Sequence, residues 1–344
     1  MEMPSWTAAR RRPASRSPRR RKRRDWSACG TAGAPRKSGG ASPHRPPEPA
    51  VSRTVVFVGA AGQLARDLAR VWPEAHPDDR VIGLKHSDIQ VENRESVHSA
   101  LVPLEPQLVV NLAAYHRVDE IEDRPDRAFA VNTVGPRHLA MTCRELDAEL
   151  LHFSTDYVFA GHQRRPYVES DAVEPLSVYG ASKVAGEMLV RLTWPKHYIV
   201  RSCGLYGTAG SAGKGGNFVE TMLRLGAAGG PIRVVDDQVV TPTATLPLAR
   251  QVAQICRQQP HGTYHAVCHG WCSWYEFAAE IFRQAGVSAD LKPQSTAESG
   301  AKAPRPPYSV LANANLERLG IDVMPDWRAA LHAYLAERSA AGST

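Results

Sequence analysis

Tyr179 and Lys183 stand four residues apart in Val178-Tyr179-Gly180-Ala181-Ser182-Lys183. On a helix that spacing puts both side chains on one face, so the ammonium can approach the phenol. A free tyrosine has a pKa of about 10, too high for efficient proton exchange near neutrality. An adjacent cation favours the phenolate and lowers that value. The pair therefore has the parts of a proton donor to a carbonyl oxygen, although Tyr-x-x-x-Lys also arises by chance on exposed helices. The run Ser154-Thr155-Asp156-Tyr157-Val158-Phe159 ends the preceding predicted strand. There Thr155 offers a hydroxyl to the same oxygen from the side opposite Tyr179.

Carbonyl reduction needs a hydride source, and Gly59-Ala60-Ala61-Gly62-Gln63-Leu64-Ala65 is placed to hold one. The segment follows a strand and opens a helix. Gly59 and Gly62 permit a tight turn, and the amides leading into Gln63 and Leu64 can face a pyrophosphate. The last position of the motif is Ala65 rather than glycine. The acidic residue expected about 20 residues on, to hold a ribose 2′-hydroxyl, is missing; Leu84-Lys85-His86 stands there instead. Lys85 would attract a 2′-phosphate, which favours NADPH and leaves NADH as the alternative. Ala113, Ala114 and Tyr115 end the third predicted strand with small residues, against which a cofactor ribose can lie.

These segments need a scaffold, and the hydropathy pattern supplies one. Strands are expected at Thr54–Val58, Arg80–Leu84, Leu108–Leu112, Leu150–Ser154 and His197–Arg201. Helices alternate with them at Gln63–Trp72, Ser96–Leu101, Arg127–Leu146 and Val178–Leu192. Such alternation predicts an α/β fold, a Rossmann doubly wound parallel sheet. After Arg201 the chain turns glycine-rich and then mixes short strands with helices, which predicts a smaller C-terminal α+β substrate-binding region. The expected organisation is a disordered basic extension over 1–52, a nucleotide-binding domain over 53–205 with parts of 232–267, and a substrate-binding region from 206–231 and 268–344.

The formal net charge of +7 belongs to the extension. Residues 1–50 hold 13 Lys/Arg against 3 Asp/Glu, so residues 51–344 are mildly acidic. A nucleic-acid partner is therefore expected at most for the basic tail, and not for the folded part. No run reaches the ~18 apolar residues of a membrane span. The six scattered cysteines read as free thiols of a cytoplasmic protein. Cys268-His269-Gly270-Trp271-Cys272 lacks a second ligand pair at zinc-finger spacing, so no metal is expected.

Taken in order, the glycine turn, Ala114-Tyr115-x-x-Val118-Asp119, Ser154–Phe159, Val178–Lys183, Gly216-Asn217-Phe218, Val234-Val235-Asp236-Asp237-Gln238, Gly262-Thr263-Tyr264-His265 and Arg305-Pro306 resemble the extended short-chain dehydrogenase/reductases. More narrowly, they are similar to the dTDP-4-dehydrorhamnose reductase family, over about residues 54–336. The resemblance implies NADPH-dependent reduction of the 4-keto group of a nucleotide-linked deoxy sugar. It implies Tyr179 as proton donor, Thr155 as partner to the oxygen, and Lys183 as the group that lowers the Tyr179 pKa and holds the nicotinamide ribose. Asp119, Asp156, Tyr157, Asn217 and Arg305 fall where that family contacts sugar or nucleotide.

Three departures leave the sugar open. The family's Arg-Thr-Ser-Trp-Val-Tyr run is here Arg201-Ser202-Cys203-Gly204-Leu205-Tyr206, the loop Thr208–Gly215 is long, and His116 and Arg117 replace smaller residues. The alternatives are a nucleotide-sugar epimerase or dehydratase of the same fold, or a non-catalytic subunit resembling the methionine adenosyltransferase β subunit. The partner expected is the nucleotide-sugar substrate, with a homodimer left open.

Overall fold

The computed structural model describes residues 52–209, 216–257 and 259–341; the basic extension through Val51 and most of the glycine-rich loop lie outside them. Strand β1 (Thr54–Val58) leads through the glycine turn to α1 (Gln63–Ala75), then β2 (Arg80–Leu84), α2 (Arg94–Leu101) and β3 (Leu108–Asn111). Two short helices, α3 (Val118–Ile121) and α4 (Pro125–Phe129), run through a π turn at Ala130–Val134 into α5 (Gly135–Glu145). Next come β4 (Glu149–Thr155), α6 (Val178–Thr193), β5 (His197–Ser202) and β6 (Leu205–Tyr206). The remainder is α7 (Phe218–Ala228), β7 (Pro231–Val235), β8 (Val239–Val240), β9 (Thr243–Ala244), α8 (Thr245–Ile255), β10 (Gly262–His265), β11 (Cys272–Ser273), α9 (Trp274–Ala285), β12 (Asp290–Gln294), α10 (Ala314–Leu319) and α11 (Trp327–Ala341).

The main sheet has the order β2-β1-β3-β4-β5-β10, with every pairing parallel. Its strands are apolar on both faces because helices cover both. Along β1, Val55 and Phe57 enter one core, shared with Leu68 and Trp72 of α1 and Leu248 and Val252 of α8. Val56 and Val58 enter the other, with Val97 of α2 and Leu139 and Cys143 of α5. The order reverses between β1 and β3, so a crevice opens there at the carboxyl ends of the strands. This is the expected doubly wound α/β fold.

Two local departures from the sequence reading have physical causes. The single helix expected over Arg127–Leu146 is interrupted by the π turn. The extra residue turns Asn132 inward, where its amide accepts from the Tyr115 N–H (2.9 Å) and donates to the Tyr115 carbonyl (2.8 Å). Helix α8 was not anticipated, since Pro247 sits in its first turn, a position helices tolerate.

Helix α6 carries the Tyr179–Lys183 pair and is fixed at three levels. Ser177 caps its start, its hydroxyl accepting from the Gly180 N–H at 3.2 Å. Gly186 lets it lie directly on the π turn, since a Cβ there would come within 2.2 Å of the Asn132 carbonyl oxygen. Its far half is held by Glu187, 1% exposed, which accepts from Arg201 of β5 at 2.8 and 2.7 Å. Burial works against the Glu187 charge, yet Arg201 outweighs it and keeps the carboxyl below its ordinary range.

Removing one partner of such a pair strands the other as an uncompensated buried charge. Glu187→Ala is expected to lower unfolding free energy by about 3–5 kcal/mol in urea titration. The double variant Glu187→Leu with Arg201→Met should recover much of that loss. Equal losses in the single and double variants would show that the pair does not set the helix in place.

Candidate active site

Strand β4 and helix α6 bring the proton-transfer groups together at the carboxyl edge of the sheet. Tyr179 is half-buried, and the Thr155 hydroxyl lies near enough to its phenol to act on it. Thr155 accepts from the Tyr157 N–H at 3.2 Å and donates its one hydrogen to Asp156 Oδ1 at 2.9 Å. A ketone oxygen entering between these two hydroxyls meets the phenolic hydrogen directly and competes with Asp156 for that of Thr155.

The structure gives Asp156 a different place from the substrate contact expected. It is 3% exposed and lies beneath Thr155, with the Cys203 thiol 3.0 Å from Oδ2 and the Ser309 hydroxyl 3.9 Å from that thiol. Burial raises its pKa despite these bonds. Cys203 is the residue that departs from the family's serine, and its thiol is spent on this carboxylate. Tyr157 packs edge-to-face on Tyr179, with ring centroids 5.8 Å apart.

Lys183 is 2% exposed and donates to the Phe153 carbonyl oxygen at 2.6 Å. Burial brings its pKa down to about 8, against the opposing pull of Glu187. The Tyr179 phenol moves the other way from the sequence expectation: burial pushes it up to about 12, with Thr155 acting downwards. The lysine faces the backbone of β4, so it does not depress the phenol here.

The glycine turn fits a dinucleotide. Gly59 has φ +90, and a Cβ there would come within 2.9 Å of the Ala113 N, so only glycine brings β1 this close to the end of β3. Gly62 starts α1 with no side-chain cap and no acidic residue in the first turn. The Gln63 and Leu64 end of that helix is thus left for an anion. Gln63 Nε2 donates to the Leu205 carbonyl, while its buried Oε1 has no partner among the described residues. Lys85 is exposed at the end of β2, beside the Leu84 carbonyl that accepts from Gly59 and Ala60. Asp88 turns back onto the Lys85 backbone N–H at 2.8 Å. Ala113, Ala114 and Tyr115 line the crevice edge half-buried, and Tyr115 OH donates to Glu120 at 2.7 Å. Asn132, which clamps Tyr115, was missed in the sequence because its helix looked continuous.

Beyond Tyr157 the crevice opens into a cleft of about 1070 Å³, lined among others by Asp119, Tyr157, Phe218, Trp274, Lys302 and Arg305. Asp119 and Arg305, 186 residues apart, pair at 2.8 Å, and both line the cleft with Tyr157. Three of the predicted substrate residues thus form one wall. Asn217 lies apart from them, 7% exposed. It caps α7 by accepting from the Glu220 N–H and ties the loop's other end through the Gly207 carbonyl at 2.9 Å. Gly204 has φ +56, and a Cβ there would stand 3.6 Å from Trp274 Cη2, so the indole of α9 edges the space the family's aromatic would occupy. His116 and Arg117 lie on the segment between β3 and α3, where His116 Nδ1 is 3.2 Å from the Ala114 carbonyl and Arg117 pairs with Glu120.

Away from this site, the five described cysteines are buried free thiols. His269, Glu317 and Asp322 bring possible ligand atoms within 4.8 Å, but Asp322 is engaged by Asn313 and the Met324 N–H. No helix among the described residues is long and apolar enough to cross a membrane.

The exposed cation at the end of β2 gives a direct binding test. Lys85→Glu is expected to weaken NADPH about tenfold by calorimetry while leaving NADH nearly unchanged. Equal weakening of both would remove Lys85 from the 2′-phosphate site.

Comparison with known proteins agrees with this geometry. The chain is 40% identical over 287 residues to the spore coat polysaccharide biosynthesis protein SpsK of Bacillus subtilis (strain 168), covering 83% of this chain and 98% of that protein. It is 40% identical over 283 residues to a dTDP-4-dehydrorhamnose reductase of Streptomyces griseus, covering 80% and 91%. The crystal structure of dTDP-4-dehydrorhamnose reductase from Bacillus anthracis in complex with NADP superposes with a TM-score of 0.79 at 35% identity, covering 83% of this chain and all of that one (100%). The family model described as the RmlD substrate binding domain matches residues 53–340, and the chain belongs to that family.

Proposed function

We propose that this protein is an NADPH-dependent oxidoreductase that reduces the 4-keto group of a nucleotide-linked deoxy sugar. The observation that carries this reading is the meeting of Tyr179 with the Thr155 hydroxyl between the β1–β3 crevice and the cleft lined by Asp119, Tyr157 and Arg305. The names of its relatives support the substrate class, and the NADP complex of the Bacillus anthracis enzyme supports the cofactor.

NADPH, when bound, supplies the hydride. The protein's own residues do the rest. Gly59, Gly62, Gln63 and Leu64 hold the pyrophosphate end, Lys85 answers the 2′-phosphate, and Ala113, Ala114 and Tyr115 bear the ribose edge. Lys183, and Tyr179 beside it, face the nicotinamide half. Thr155 and Tyr179 orient the C4 oxygen, and Tyr179 gives it the phenolic proton as negative charge develops there. Protonated Lys183 holds the ribose of the nicotinamide half of the cofactor. Asp119, Tyr157 and Arg305 grip the sugar nucleotide, while Asp156 and Asn217 act by fixing Thr155 and the Gly207 backbone. In this reading residues 206–231 and 268–344 form the substrate-binding region, and the enzyme works in the cytoplasm, where NADPH and nucleotide sugars meet.

The test is NADPH oxidation against a panel of nucleotide 4-keto sugars. At least one should be turned over, and Tyr179→Phe should lose about 10²–10⁴-fold in kcat. Because Tyr179 keeps its proton to about 12 and Lys183 yields its own near 8, activity should fall as pH rises through about 8. No turnover across the panel, or an undiminished Tyr179→Phe, would overturn the proposal.

A further inference from the structure

His152 is fully buried on β4 and takes no part in the chemistry described above. Its two ring nitrogens lie between Asn111 and Lys183: Nδ1 is 3.0 Å from Asn111 Nδ2, and Nε2 is 3.5 Å from Lys183 Nζ. The orientation of the Asn111 amide is settled by its other end, since Asn111 Oδ1 accepts from the Ala113 N–H at 3.1 Å. Turning the amide over would set an NH₂ against that N–H. Asn111 Nδ2 therefore donates to His152, and Nδ1 must accept.

The ring is neutral. Burial drives its pKa well below the ordinary value, and the Lys183 charge pushes it further down. A neutral imidazole that accepts at Nδ1 carries its hydrogen on Nε2. That hydrogen points at Lys183. Two donors then face each other across 3.5 Å, a separation long for a hydrogen bond. On the sheet side the ammonium is left with the Phe153 carbonyl oxygen as acceptor, and its other two N–H bonds turn away from the imidazole.

We propose that His152 is a positioning residue that presents its Nε2–H to Lys183, denies the ammonium a second acceptor on the sheet side, and so directs its remaining N–H bonds towards the site while lowering its hold on its proton. The chain of contacts runs from Ala113, at the cofactor edge, through Asn111 and His152 to the lysine. Cofactor edge and proton-transfer pair are thereby tied through one tautomer. The inference rests on the reductase reading only for what Lys183 does in turnover; the tautomer itself follows from the Asn111 geometry. Glu187 of α6 is the charged group that acts on the lysine, with the Tyr179 phenol one turn back; Arg191 of α6 and His197 of β5 act on the His152 ring, and Arg201 of β5 on Glu187. Glu187 favours the ammonium, and Arg201 and Arg191 largely spend themselves on Glu187.

The experiment reads the tautomer and the lysine without requiring turnover. Long-range ¹H–¹⁵N spectra of the whole protein, assigned with His152→Gln, should show His152 as the neutral Nε2–H form from about pH 5 to 9. His152→Met removes the facing N–H, so the ¹⁵Nζ titration of Lys183 should move up by about one pH unit. In any active preparation the alkaline limb of kcat/KM should move with it. His152→Gln can accept from Asn111 through its oxygen and turn an N–H to Lys183, so it should restore the wild-type titration. An Nδ1–H tautomer, or a Lys183 titration that is the same in wild type and in a folded His152→Met, would overturn the inference. The tautomer and His152→Gln readouts stand even where His152→Met fails to fold. Absence of sugar turnover with the titration shift present would count against the reductase reading and leave the positioning role in place.

Discussion

The buried pair between Glu187 and Arg201 is the constraint on which the site depends. It ties α6 to β5 from inside the protein, where both side chains are almost wholly removed from water. Such pairs are costly to form and add little net stability; what they supply is geometry, because a single arrangement satisfies both charges. Here Arg201 is fixed further by His265, whose Nε2 lies 3.4 Å from it while Nδ1 donates towards the Tyr167 and Ala312 carbonyls. Burial, with the Arg201 charge added, holds His265 down to about 3, so it remains a neutral acceptor for the arginine. Helix α6 cannot rotate or slide without breaking this arrangement. Tyr179 and Lys183, two turns and one turn ahead of Glu187, inherit their positions from it.

Rigid placement carries an electrostatic cost that the site uses. Taking Tyr179 out of water makes its phenol a weaker acid, and taking Lys183 out of water makes its ammonium a stronger one. The two proton affinities are driven apart, so that as pH rises the ammonium gives up its proton long before the phenol does. Asp156, buried under Thr155 among Cys203 and Ser309, extends the same economy of hydrogen atoms to the second hydroxyl.

Much of the scaffold was legible because its strands are short β-branched runs separated by amphipathic helices, a pattern that the two-sided burial of a parallel sheet demands. Thr54–Val58, Arg80–Leu84 and Val178–Thr193 fall within a residue of where the pattern places them. The meeting of Thr155 with Tyr179 was legible too, since both follow from spacing at element ends. What the pattern could not give were features set by the partner rather than the segment. Asn132 turns inward through one extra residue in a helix, with no compositional mark. The Asp119–Arg305 pair joins chain segments that only the tertiary fold brings together. Asp156 reads as a loop carboxylate until Cys203 and Ser309 are seen around it, and His152 reads as a strand residue until Asn111 fixes its tautomer.

The central claim is that hydride passes to the sugar and stays there while Tyr179 supplies the proton. NADPH carrying deuterium at nicotinamide C4, supplied to the full-length protein with a nucleotide 4-keto sugar, tests it in a single turnover. The expected result is one deuterium bonded to C4 of the product sugar, seen by NMR, with stoichiometric oxidised cofactor and a slower reaction than with unlabelled NADPH. Recovery of unoxidised cofactor with a sugar altered at another carbon, or with no deuterium at C4, would contradict the account.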